Sequence, residues 1–323
     1  MKSERTITPR ENFIRFFKGE LTEWQPTSVD MKPFLPEIIP ENIARGMVMQ
    51  QSPFPKEKFG GRGMFNVDWV FEPEAGGSIE TAPLYNDLEA LEEWENKFEF
   101  PDLDSYDWEG CAAANREYLD TDKLISTTVF TSFFERLISF IGFENAAMAL
   151  LDEDCREHVR ALFDKLADFY IDYVTRLHKH FNVGYFDIHD DWGTQRSPMF
   201  SPAVHREMIV PCMRKLVQGA HKAGLIVELH SCGFIEPLIP GVIETGIDTW
   251  RGQAVNDKLK LVNQYGDKFK FGVEVRPAGP VSDEEAIEFA RALKKDYEGK
   301  NVWYFFARTL TPAQKNLLAT EVF

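Results

Sequence analysis

The chain has 323 residues, with 36 Lys and Arg against 52 Asp and Glu, a formal net charge of −16 and 44% hydrophobic residues. This composition suits a folded chain that buries a large core, and it excludes disordered, collagen-like and disulfide-scaffold classes. The acidic balance counts against a nucleic-acid partner, whose phosphates need clustered Lys and Arg, and no apolar run approaches the roughly 20 residues that cross a bilayer. The opening stretch, Met1 to Arg10, is polar and has no apolar signal region. Cys111, Cys155, Cys212 and Cys232 are widely spaced with no CxxC pair, so the expected setting is reduced and cytoplasmic.

Glu11 to Phe17 reads as a first helix and Pro26 to Met31 as a first strand. Pro33, Pro36, Pro40, Pro53 and Pro55 then mark a long irregular segment, and Gly60-Gly61-Arg62-Gly63 reads as a turn. Val67 to Phe71 and Ser78 to Thr81 predict a hairpin, and Glu89 to Glu95 a solvated helix. Leu124 to Phe130 is a β-branched strand, followed by a buried helix over Phe133 to Leu151.

From Cys155 the pattern becomes regular. Val159, Leu162, Phe163, Leu166, Phe169, Tyr170, Tyr173, Val174 and Leu177 recur at helical spacing, predicting one long amphipathic helix to His180. A strand over Gly184 to Ile188 follows, then a helix from the Ser201-Pro202 cap to Gly224. Strands at Leu225–Leu229, Gly246–Trp250, Phe269–Val275 and Val302–Phe306 alternate with helices at Ile235–Glu244, at Asn256–Tyr265 and after Ser282. Such alternation with short links is the mark of a parallel sheet covered by helices. The predicted class is α/β. Length favours a (β/α)8 TIM-type barrel in one domain over residues 1–323, with residues 1–120 carrying irregular elaborations.

In that architecture ligands bind at the carboxyl ends of the strands. His189, Asp190 and Asp191 follow one strand, His230 and Cys232 the next, Glu274 and Arg276 flank a third, and Arg308 follows the last. His230 and Cys232, two apart on extended backbone, point to one side and can reach one ion. Nitrogen with sulfur suits Zn²⁺, with Glu274 or a member of the His189–Asp191 cluster as a third ligand. A carboxylate beside His189 would tune its imidazole for proton transfer, or one of Asp190 and Asp191 caps a local turn. Arg276 and Arg308 either clamp an anionic group or neutralise an acidic mouth. GxSxG, GxxxxGK[ST] and GxGxxG are absent.

Thr8-Pro9-Arg10-Glu11-Asn12-Phe13, Trp24-Gln25-Pro26, Asp190-Asp191-Trp192-Gly193-Thr194-Gln195, His221-Lys222-Ala223-Gly224, His230-Ser231-Cys232-Gly233 and Glu244-Thr245-Gly246-Ile247-Asp248 together resemble the uroporphyrinogen decarboxylase superfamily. The resemblance implies a (β/α)8 barrel with its site at the C-terminal mouth. True decarboxylases of that family carry an Arg-Gln-Ala-Gly-Arg stretch near the first strand for the substrate's carboxylates; the matching segment here, Asp30 to Glu37, has neither arginine. The sequence is closer to the corrinoid-dependent methyltransferase branch, whose His-x-Cys motif matches His230 and Cys232. That likeness implies a zinc-dependent enzyme taking a methyl group from a small methylated compound, such as a methoxylated aromatic, to a corrinoid protein. A further Cys that some members carry near the last strand is absent from Tyr304–Leu310, and Glu274 stands in for it. Asp191 and His189 are then the expected catalytic acids, with Asp30, Trp192, Gln195, Arg276 and Arg308 as substrate contacts. The alternative is a metal-independent decarboxylase of the same family.

Overall fold

The computed structural model describes residues 5–46 and 54–323; Met1 to Glu4 of the polar opening stretch and Pro53 of the irregular segment lie outside them. Ten strands are found among these residues: β1 Met31–Pro33, β2 Gly60–Arg62, β3 Asp68–Glu72, β4 Gly77–Glu80, β5 Leu124–Val129, β6 Tyr185–His189, β7 Ile226–Ser231, β8 Thr249–Gly252, β9 Lys270–Val275 and β10 Val302–Phe306. β1, β5, β6, β7, β8, β9 and β10 form one parallel sheet in that order. Sequential strands are neighbours because each link carries a helix back across the sheet. β6 is buried at all five positions, as expected of a strand covered on both faces.

The sheet curls until its two ends meet. Thr27, just before β1, makes a parallel bridge to Tyr304 in β10. The Tyr304 amide donates to the Pro26 carbonyl at 3.1 Å, and the Phe306 amide to Ser28 Oγ at 3.1 Å. Where eight strands were expected, seven are found among the described residues. The described residues between β1 and β5 supply no further strand to this sheet. It forms a separate antiparallel sheet, β2-β3-β4, in which the Gly60–Arg62 segment expected as a turn is an edge strand. Other boundaries also move. The predicted Pro26–Met31 strand is mostly a 3-10 turn, Ser28–Asp30, fixed by a Thr27–Asp30 capping box. The predicted Phe133–Leu151 helix breaks into Phe134–Ile141 and Phe143–Ala149 at Gly142, whose φ of 85° suits glycine. Glu89–Glu95 becomes two short helices that bury Ala90, Leu91 and Trp94 rather than a solvated face.

The long helix runs from Glu153 to Phe181 and buries the apolar stripe read from the sequence. At the amino-terminal end of the strands, Phe13, Leu124, Tyr185, Ile226 and Trp303 form a small apolar cluster that plugs the curled sheet. Its carboxyl-terminal end is left open.

Candidate active site at the strand ends

β6 and β7 are in register so that His189 lies directly beside His230. Their rings stack with centroids 4.3 Å apart. The chain then turns out of both strands. Asp191 Oδ1 accepts a hydrogen bond from the Cys232 amide at 2.7 Å, tying one loop to the other. The two loops pass so closely that a Cβ on Gly193 would lie 2.8 Å from the Gly233 backbone, and Gly233 itself has a φ of 76°. Only glycine tolerates both demands there.

This packing brings ligand atoms of His189, Asp191 and His230 within 4.8 Å of one another, the one such group of His, Cys, Asp and Glu among the described residues. Cys232 Sγ sits 3.5 Å from His230 Nε2. Burial pushes the His189 pKa well below its usual value and lowers that of His230, so both imidazoles are neutral and have lone pairs to offer. Burial and the neighbouring Asp191 push the Cys232 thiol strongly up, so a bound cation would have to displace its proton.

Asp190 faces the other way. Its carboxylate accepts from the backbone amides of Phe134 at 3.1 Å and Glu135 at 2.8 Å, capping the helix that follows β5. Burial raises its pKa to about 6. That helix supplies Glu135, a residue the sequence reading passed over. Its carboxyl is paired with Arg45 at 3.3 Å, its Oε2 is buried without a partner, and burial together with Asp191 raises its pKa well above the carboxylate range. An acidic residue at the first turn after a strand was the available signal.

Beside the histidines opens a cavity of about 460 Å³, with His230, Cys232, Arg251, Glu274, Arg276, Phe305, Phe306 and Arg308 in its wall. The ends of β7, β8, β9 and β10 thus converge on one mouth, as the strand-end argument expects. Glu274 lines this cavity but lies outside the three-residue group, and its carboxylate is held by Arg276 at 2.6 Å. Asp30, Trp192 and Gln195 do not line it. Asp30 is buried and accepts from the Trp24 indole at 3.0 Å and the Thr27 amide at 2.7 Å. Trp192 is fully buried, packing against His205 at 4.8 Å. Gln195 is exposed on the loop after β6.

Residues 110–269 match the model of the uroporphyrinogen decarboxylase (URO-D) family. A search of curated protein sequences finds no match. Among solved structures the fold is similar to a methyltransferase from Methanosarcina mazei, at TM-score 0.64 and 14% identity over 97% of each chain. Lower likenesses include a sugar phosphate isomerase/epimerase from Parabacteroides distasonis (TM-score 0.39, 12% identity, 72% of this chain and 86% of that one). Another is a D-psicose 3-epimerase from Clostridium cellulolyticum (TM-score 0.34, 13% identity, 66% and 72%). The family match covers the segment that contains β5, β6, β7 and β8, with every residue of the histidine–aspartate group inside it, so over this part the chain is similar to the uroporphyrinogen decarboxylase family.

Proposed function

We propose that the chain is a zinc-dependent methyltransferase that takes a methyl group from a small methylated compound, such as a methoxylated aromatic, to a corrinoid protein in the cytoplasm. In this reading the curled sheet is a (β/α)8-type barrel in which the elaborated N-terminal segment replaces one unit. One observation carries the proposal: His189, Asp191 and His230 bring nitrogen and oxygen donors together beside the Cys232 thiol, and His230 and Cys232 of this set line a cavity with two phenylalanines in its wall. The donor set fits the metal. Two neutral imidazoles, a carboxylate and a thiol form a borderline-soft set of the kind Zn²⁺ takes. His189, Asp191 and His230 would hold the ion, with Cys232 next to them.

A zinc ion held by these residues would supply Lewis acidity toward the oxygen bearing the methyl group. The remaining work belongs to the chain's own side chains. Asp191, fixed by the Cys232 amide, keeps the two loops in register. Phe305 and Phe306 offer flat apolar surface to an aromatic ring, while Arg276 and Arg308 attract an anionic substituent into an otherwise acidic molecule. Cys111, Cys155, Cys212 and Cys232 are all free, in keeping with a reducing compartment.

The test uses reduced cobalamin as acceptor and a panel of methoxylated aromatics as donors, with methylcobalamin followed by absorbance. Protein stripped by a chelator should lose transfer and regain it with Zn²⁺; equal rates with and without metal would refute the mechanism. The family match also favours a second reading, a metal-independent decarboxylase. Release of carbon dioxide from uroporphyrinogen by the stripped protein would select it.

A further inference from the structure

Among the described residues, the cavity at the mouth has one wall residue that the parallel sheet does not supply. Its other lining residues lie on β7 to β10 or in the turns beside the strands, whereas Ala75 comes from the antiparallel sheet. Residues 73–76 form the turn between β3 and β4, closed by a hydrogen bond from the Gly76 amide to the Glu72 carbonyl at 3.0 Å. Gly76 has a φ of 68°, the left-handed conformation that such a hairpin turn needs. A segment remote in sequence thus reaches the strand ends, and its tip forms part of the wall around a ligand-sized space.

The two ends of this hairpin are held differently. At its base Trp69 and Ser78 are buried. Arg45 lies over the Trp69 ring at 5.0 Å, donates to the Ser78 carbonyl at 2.6 Å and pairs with Glu135 at 3.3 Å. The Ser78 amide donates to the Gly46 carbonyl at 3.1 Å. These ties fix the base against the helix that follows β5. At the tip Pro73, Glu74 and Ala75 are exposed, and the described hydrogen bonds of residues 73–76 all stay within the hairpin. An anchored base with an untied tip makes a flap whose reach is set by the fold and whose end can change without disturbing the core. The cavity, about 460 Å³, has the size of a small-molecule site, roughly 300–1,000 Å³. A methyl group is all the side-chain bulk that the flap puts into this wall, so a larger residue at position 75 takes volume directly from the ligand.

We propose that the β3–β4 hairpin is a specificity flap of the mouth, and that Ala75 at its tip sets the size of ligand the cavity admits. A larger residue there refuses bulky ligands before it refuses small ones. The inference rests on the reading of this cavity as the substrate site, and it needs neither the metal nor methyl transfer. Ala75 belongs to the wall and not to the reacting groups, so its replacement should alter which ligands enter rather than the chemistry.

Cys232 reports on the interior, because it is free and lines the same cavity. The test uses the whole chelator-treated chain carrying Cys155→Ser, which removes the one other cysteine that is not buried. Methyl methanethiosulfonate and its benzyl counterpart react with the same thiol, so the ratio of their rates at Cys232, read by mass spectrometry, cancels its ionisation and keeps the steric part. Ala75→Trp should lower the benzyl-to-methyl ratio by about tenfold, with Ala75→Leu in between and Ala75→Gly equal to the parent or higher. Glu74→Trp, on the same exposed turn but outside the wall, should leave the ratio unchanged, with circular dichroism confirming that each variant folds. With methoxylated aromatic donors, kcat/KM for two-ring against one-ring compounds should fall in parallel in Ala75→Trp. Absence of methyl transfer in the parent would count against the proposed function and leave the labelling ratio standing. An unchanged ratio in folded Ala75→Trp and Ala75→Leu, an equal fall in Glu74→Trp, or a parent Cys232 that even the methyl reagent fails to reach would overturn the flap assignment.

Discussion

A histidine buried without a partner makes stability depend on pH. His205 is fully enclosed between Trp192 and Phe200, and neither ring nitrogen has a hydrogen-bond partner. Burial lowers its pKa from 6.5 to about 4. The unfolded chain therefore binds a proton below about pH 6.5 that the folded chain refuses until about pH 4. The stability this group contributes is complete above pH 6.5 and is lost as pH falls toward 4, by about 3 kcal/mol in all. Replacing His205 with Phe removes the titrating ring while keeping an aromatic in the slot. Denaturant melts of both proteins at pH 4.5 and pH 7.5 should show a smaller acid-induced loss in His205→Phe; parallel losses would mean the acid sensitivity lies elsewhere. His205 stands three residues after the Ser201-Pro202 cap, and its enclosure depends on Trp192, Phe200 and the close approach of Gly241, all distant in sequence or on a loop. Linear spacing carries none of that. His230 and Cys232 were legible because residues two apart on extended backbone at a strand's end share a side, whereas the role of His189 required knowing the register of β6 against β7.

Between elements, the tie that matters most joins the irregular N-terminal segment to the first helix after β5. Arg136 is almost completely buried and its Nη2 lies 2.5 Å from Glu41 Oε1. Glu41 Oε2 also accepts the Met64 amide at 3.0 Å, so one carboxylate anchors the Pro40–Ala44 helix, the chain entering β3 and the helix Phe134–Ile141. Glu41→Ala strands a buried guanidinium and should cost about 3–5 kcal/mol. Equilibrium denaturation measures this directly, and a loss below about 1 kcal/mol would show that water or another group takes over. Periodicity cannot see such a tie: Glu41 and Arg136 are far apart in sequence and each looks like a solvated charge. Helix breaks escaped for a similar reason. Gly142 interrupts an otherwise uniform apolar pattern, and the helix leading to Lys222 contains a π-helical turn at His205–Ile209, next to Pro211, which has no amide to donate.

At the scale of the whole molecule, the alternation of strands and helices after Cys155 predicted the parallel sheet well, because β6, β7, β9 and β10 are largely buried strands linked by helices. Closure was not legible. It depends on Pro26, Thr27 and Ser28 meeting β10 across nearly the full length of the chain, with Thr27 joined by one bridge rather than a strand. The curling has a functional consequence. It brings His189 and Asp191, at the end of β6, against His230 and Cys232, at the end of β7, beside the arginine-lined cavity. If that convergence exists to hold a metal, its affinity must depend on each member. The decisive measurement is zinc stoichiometry and affinity for the parent protein, His230→Ala and Cys232→Ala, with circular dichroism to confirm folding. The parent should take up one equivalent, His230→Ala should bind at least about tenfold more weakly, and Cys232→Ala should show whether sulfur is a ligand through loss of the thiolate-to-metal absorption of the cobalt(II) form. A folded His230→Ala protein that binds zinc as tightly as its parent would mean the ion, and the chemistry assigned to it, belong somewhere else.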